Sequence, residues 1–506
     1  MICQNKKTLA LLLAALLVAG SLASCGNGNT ETTPDTTADT ASGANTDTTE
    51  ETEAPDPFAG TDFGGKSLRL NASADTYDAT NAYRFIAGSG EMNGELINDA
   101  VFNRNAAVQE LLNIKLEFTP TEWNYDQAYA QIEKLVLAGD GQFDIVINDL
   151  KSLAQLSSNG YFHSVENTGI LDFTKSYWYA DAIRDLTVVP GATYVLLGDY
   201  FTDSLASAHV LYYNRTLIEN HTGDANTVQD MVLDGTWTVD EMIALKTAMA
   251  VDLNGDGKME EGDQFGYSVI GPWGPMLPVI MGFDVQFIEN DNGNIRYCFN
   301  NERSVKILEK LNELYWTEGT LQDTAAHTAE DLRAKFANNE AVFVGYLRLS
   351  DLENLREVEF PVGLAPYPKL DDAQEHYVSS LHNTTEVGAV FVTVPTDELP
   401  FVFTCLEVLG RETGKTVMPT YYEDALKVKY VGGSEDAAMI DLIHDSITSP
   451  FALAYNDVLD NFILRATFID PLIDKRTDFA SSYASKESAG QAALDKLVES
   501  FRANLS

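Results

Sequence analysis

Two stretches have the residue types and spacing that chemistry could use. In Asp252–Asp263, the oxygen-bearing side chains Asp252, Asn254, Asp256, Glu260 and Asp263 fall at the first, third, fifth, ninth and twelfth places, with Gly257 at the sixth. That is the calcium-loop spacing, in which glycine permits the sharp turn and the seventh residue, here Lys258, offers only its carbonyl. Asp263 stands where such loops use a longer bidentate Glu, a departure that weakens binding; the expectation is a structural Ca2+ that stiffens a loop, with an acidic turn that holds no metal as the alternative. The second stretch, Gly60–Ser67, matches the P-loop pattern letter for letter. A phosphate cradle needs a strand before it and a helix N-terminus after it. Here an acidic segment precedes and the strand-like Ser67-Leu68-Arg69-Leu70 follows, so a glycine-rich turn is expected instead.

No catalytic residue stands out. The seven histidines make no zinc spacing, and neither Cys-x-x-Cys nor a G-x-S-x-G elbow occurs. The 76 acidic side chains offer so many carboxylate pairs that none is singled out for glycoside hydrolysis. Aromatic residues beside polar groups say more, because flat rings with a polar handle suit amphipathic ligands such as sugars. Trp123, Trp178, Trp273 and Tyr346 are of this kind, with Trp273 the strongest, in the loop Gly271-Pro272-Trp273-Gly274. Arg348, two residues beyond Tyr346, could bind a hydroxyl or a carboxylate.

These residues need elements to position them. Ser67–Leu70, Ile114–Phe118 and Phe143–Ile147 read as strands, separated by an apolar helical stripe (Leu96 to Leu112) and a helix over Tyr125–Ala138. That βαβαβ order predicts a parallel sheet with ligands beyond the carboxyl ends of its strands, where Trp123, Asn148 and Asp149 lie. Further on, Ala341–Val344 and Gly388–Val392 read as strands, and Val305 to Tyr315 and Leu494 to Leu505 as helix faces. Thr238 and Glu241 fit a capping box with Trp237 and Met242 as its hydrophobic staple, which makes Trp237 structural.

The N-terminal region bounds the setting. Lys6 and Lys7, the apolar run Leu9–Gly20 and Leu22-Ala23-Ser24-Cys25 look like a bacterial lipoprotein signal peptide and lipobox over residues 1–25. Lipidation (palmitate) of Cys25 would place the protein on the outer face of the bacterial cell membrane, each buried methylene contributing about 0.8 kcal/mol. Residues 26–60, rich in Thr, Asp and Glu, are expected to be a disordered tether. With 33 basic residues against 76 acidic and a formal charge of −43, nucleic acid is a poor partner. Cys298 and Cys405 could pair but are expected to stay free thiols.

In order along the chain, several segments resemble extracellular solute-binding proteins of ABC importers, in the maltose- and oligosaccharide-binding branch. They are Val210-Leu211-Tyr212-Tyr213-Asn214-Arg215, Gly235–Glu241, the Asp252–Gly266 loop, Phe360–Pro368 and Tyr421–Tyr430. The resemblance implies an α/β fold of two lobes joined by a hinge, with the ligand cleft between them. By analogy the first lobe would comprise residues 61–155 plus about 330–380. The second would comprise residues 156–329 plus about 381–506. Trp123, Asn148, Asp149, Trp273, Tyr346 and Arg348 would then face the cleft. The implied role is a monomeric, non-enzymatic binding protein that hands a small solute, with oligosaccharide as the expected class, to the transmembrane subunits of an ABC permease. A surface glycan hydrolase, and a ligand-sensing receptor or adhesin of the same fold, remain alternatives.

Overall fold

The computed structural model describes residues 56–74, 82–123, 125–270, 276–323, 328–356, 358–382, 384–421, 434–447 and 451–505. The βαβαβ order is realised. Lys66–Ser73 (β1), Ile114–Thr121 (β2) and Ile145–Asp149 (β3) alternate with helices Leu96–Leu112 and Tyr125–Ala138. β1 lies parallel to β2 on one side and to β3 on the other. The helix Leu96–Leu112 turns Ile97, Val101, Val108 and Leu112 inward. It stops at Asn113, whose left-handed backbone (φ 50°) redirects the chain into β2.

Five strands form a second sheet: Leu211–Asn214 (β4), Phe265–Ile270 (β5), Thr320–Asp323 (β8), Ala341–Val344 (β9) and Val362–Ala365 (β10). Their order is β10-β4-β9-β5-β8. A separate hairpin joins Ile288–Asp291 (β6) to Asn294–Tyr297 (β7). Glu386–Val390 (β11) returns to the first sheet, antiparallel to β3, giving the order β11-β3-β1-β2. The two sheets are the centres of two α/β lobes.

Strand membership corrects the expected lobe division. β9 and β10, assigned above to the first lobe, lie in the second sheet, and β11, assigned to the second lobe, lies in the first. The reason is register: β9 and β10 pair with β4, while Glu386–Val390 zips onto Asp149–Ile145. β11 also begins two residues earlier than the apolar run suggested.

Other details differ as well. The P-loop match leads straight into β1, as expected. Asp56 and Phe58, within the expected tether, are held on the fold: Asp56 pairs with Arg411 at 2.6 Å and the Arg411 guanidinium lies over the Phe58 ring. Thr238 is an N-cap by position but makes no side-chain cap bond. The helix start is held instead by the Val239 amide, which donates to Lys369 O at 2.8 Å. Trp237 is fully buried, and Leu505 falls beyond the last helix, half-exposed. Cys298 and Cys405 are unpaired. The signal peptide, Cys25 and Trp273 lie outside the described residues.

Candidate functional site

The chain passes between sheets through extended segments that pair with one another. Residues 207–210, leading into β4, lie between residues 347–349 and 380–382. The His209 amide donates to Ser380 O at 2.8 Å, the His382 amide to Ser207 O at 3.1 Å and the Val210 amide to Leu347 O at 3.1 Å.

One strand of this junction is bulged. Tyr212 pairs with Val344 and His209 with Arg348, so three steps on one strand face four on the other. An extra residue of this kind bends a strand and re-aims a side chain. The bulge includes Tyr346, a non-glycine residue at φ 72°. Its amide donates to the Tyr367 hydroxyl at 2.8 Å, and its ring stacks on His209, with centroids 5.3 Å apart and planes 26° apart. His382 packs beside both rings, with Nε2 3.4 Å from the Tyr346 hydroxyl and Nδ1 2.7 Å from Thr384 Oγ1.

Charged groups surround this aromatic cluster. The Arg348 amide donates to Asp351 Oδ2 at 2.9 Å, while its Nη1 is buried with no partner among the described residues. Asp203, fully buried, accepts at Oδ2 from the Ser207 hydroxyl and the Glu386 amide, both at 2.9 Å; its Oδ1 has no partner among the described residues. Glu386 stands opposite Asp149 in the β11–β3 ladder. Asp149 is an N-cap, accepting from the Ser152 amide at 2.8 Å, and its own amide donates to Asn148 Oδ1 at 2.9 Å.

Burial sets the protonation states. It pushes the Asp149 carboxyl up to about 6, and raises Asp203 as well. The His209 imidazole is pushed down to about 3, first by burial and then by the Arg348 charge. His382 is also lowered, by burial, Arg348 and His209. Both histidines are therefore neutral near pH 7.

Of the six residues expected to face the cleft, Tyr346 and Arg348 lie in this junction, while Asn148 and Asp149 end β3, where Asp149 stands opposite Glu386, whose amide donates to Asp203. Trp123 follows β2, the outer strand of the first sheet, two strands from β3 and so about 10 Å from it. Trp178 is core, with its indole N–H donating to Glu407 Oε2 at 2.9 Å. His209, His382, Asp203 and Glu386 were missed. A lone histidine entering the apolar run Val210–Tyr213 was the available sign for the first.

A cavity of about 640 Å³ opens away from this junction, lined by Arg184, Asp185, Gln286, Asn290, Arg303 and Phe451 among others. Of the five expected residues that are described, Trp123, Asn148, Asp149, Tyr346 and Arg348, none lines it.

The acidic loop folds onto its own backbone. The Asp252 carboxylate accepts from the Gly255 and Gly257 amides, both at 2.7 Å, and Asn254 and Asp256 accept from amides two residues on. Asp263, at the place of the bidentate ligand, is buried and has both oxygens taken by the Leu253 and Glu260 amides, which hold its carboxyl below the usual range. Among the described residues no three acidic, histidine or cysteine side chains gather as metal ligands. The loop keeps its tight turns, but its carboxylates are not gathered around one point in this arrangement.

No family profile and no curated protein matches the sequence. Solved structures do. A cyclic α-maltosyl-1,6-maltose binding protein from Arthrobacter globiformis is 14% identical with a TM-score of 0.54, over 85% of this chain and 99% of that one. An ABC substrate-binding protein from Listeria monocytogenes in complex with cycloalternan is 12% identical with a TM-score of 0.52, over 84% and 99%. The maltose/maltodextrin-binding domain from Bdellovibrio bacteriovorus bound to maltotriose is 13% identical with a TM-score of 0.52, over 85% and 100%. The chain has the two-lobed solute-binding-protein fold. The paired segments 207–210 and 380–382 around His209 carry the chain between the two sheets.

Proposed function

We propose that the protein is the substrate-binding component of an ABC importer, capturing an oligosaccharide between its lobes and passing it unaltered to the permease. The observation that carries this is the fold itself. Near full-length likeness to three sugar-binding proteins accompanies two sheets joined through a hydrogen-bonded junction. Such an arrangement lets a ligand that touches both lobes favour one inter-lobe angle over others. Lipidation at Cys25 would hold the protein on the outer face of the bacterial membrane, beside the transmembrane subunits it serves.

Thermal-shift and calorimetric titration with linear and cyclic gluco-oligosaccharides test the proposal, with chromatography of the recovered sugar. Binding with intact ligand is the expected result. Cleaved sugar would turn the assignment to a surface glycan hydrolase, and the absence of any melting shift across the panel would remove oligosaccharide as the ligand class.

A further inference from the structure

We propose that the 640 Å³ cavity, rather than the aromatic junction, seats the solute, and that it takes an uncharged, hydroxyl-rich molecule. This rests on the binding function proposed above.

The first argument is construction. The cavity has the size of an ordinary small-molecule site. One wall is the second lobe's hairpin entry, Asp284–Asn290, with the first turn of helix Glu302–Trp316, which packs on β8. The lining also includes Arg184 and Phe451. Phe451 begins helix Phe451–Tyr455, which packs on the helix that follows β3, and the Tyr455 hydroxyl donates to Leu186 O at 3.1 Å. Phe451 and Arg184 therefore ride with the first lobe, and a molecule in the cavity touches both lobes.

The second argument is charge. Arg184 pairs with Asp181 at 2.5 Å and lies 3.7 Å from Asp185. Arg303 donates to Phe283 O at 2.8 Å and Gln374 Oε1 at 3.1 Å, with Asp371 at 3.8 Å. Both guanidinium groups are thus compensated, which leaves no spare cation to hold an acidic ligand. The Gln286 side-chain amide lines the cavity with no partner among the described residues, offering a donor and an acceptor at once. A hydroxyl satisfies both. The junction offers no comparable opening: Arg348 Nη1, Asp203 Oδ1 and His209 Nδ1 are all closed to solvent.

The test uses the full chain. Gln286 is exposed, so Gln286→Trp fills the cavity without disturbing the core, and an unchanged melting temperature without sugar checks this. Maltotriose is the first probe, and then the panel sugar that shifts wild type most. The expected result is affinity weakened about tenfold or more in Gln286→Trp. Cys298 lines the same cavity, its thiol donating to Gln286 O at 3.1 Å, whereas Cys405 is fully buried. Bound sugar should slow alkylation of Cys298, read from the mass of its peptide. Wild type that binds sugar while Gln286→Trp binds equally well, or with an unchanged Cys298 rate, overturns the cavity assignment and leaves the importer role standing. Tighter binding of an acidic oligosaccharide overturns the uncharged class. Wild type that binds no sugar overturns the functional proposal beneath it.

Discussion

Tyr346 is held in a left-handed backbone conformation while its ring lies 5.3 Å from, and nearly parallel to, that of His209. The conformation costs an L-residue about 1–2 kcal/mol, and an aromatic pair returns about 0.5–1.5 kcal/mol. Tyr346→Ala therefore keeps the strain and loses the contact, whereas Tyr346→Gly loses the contact and sheds the strain. Denaturant unfolding should place the glycine variant above the alanine variant by about 1 kcal/mol. The opposite order would mean that the bulge is not strained.

The buried histidines and carboxylates oppose each other as pH falls. His209 is lowered from 6.5 to about 3, so the unfolded chain binds the extra proton and stability is lost as pH drops below about 6.5. Asp149 and Asp199 are raised by burial to about 6, so their contribution runs the other way, lost as pH rises through 6. Between pH 7 and 5 the His209 penalty is roughly 2 kcal/mol, largely offset by the two carboxyls. His382, lowered by burial, adds to the loss and Asp203, raised by burial, adds to the gain. Between pH 7 and 5, His209→Gln should gain roughly 2 kcal/mol relative to wild type, by denaturant titration at each pH. The same pH response in variant and wild type would refute the burial argument.

Calcium should not stabilise the protein. The Asp252–Asp263 loop spends its carboxylates on its own amides. Melting curves with millimolar calcium and with chelator are expected to coincide, while Asp263→Ala lowers the melting temperature in both. A calcium-dependent rise in the wild type would show that the loop reopens around the ion.

Cys25→Ala should release the protein from cell membranes into the medium. Fractionation of the producing cells, with intact mass showing the missing acyl groups, checks this. A variant still found with the membrane would point to another means of attachment.

The first lobe was largely legible because each element carries its own signal. Period-two alternation in β2, an apolar stripe ending at Leu112 and a fully buried β3 all depend on local sequence. The lobe boundary was not legible, since Ala341–Val344 and Glu386–Val390 are both short apolar runs. Only pairing, to β4 in one case and β3 in the other, separates them. At the junction, Tyr346 and Arg348 were visible as an aromatic and a cation beside a strand. Asp203 and Glu386 were hidden among the many other acids, because burial rather than residue type makes them special.

The paired segments at 207–210, 347–349 and 380–382 give the molecule something closer to a leaf spring than a swivel. A ribbon of hydrogen-bonded strands flexes readily across its plane and resists shear within it. The two halves should therefore swing like a door on one axis, and the span of a guest would decide how far the door stands ajar.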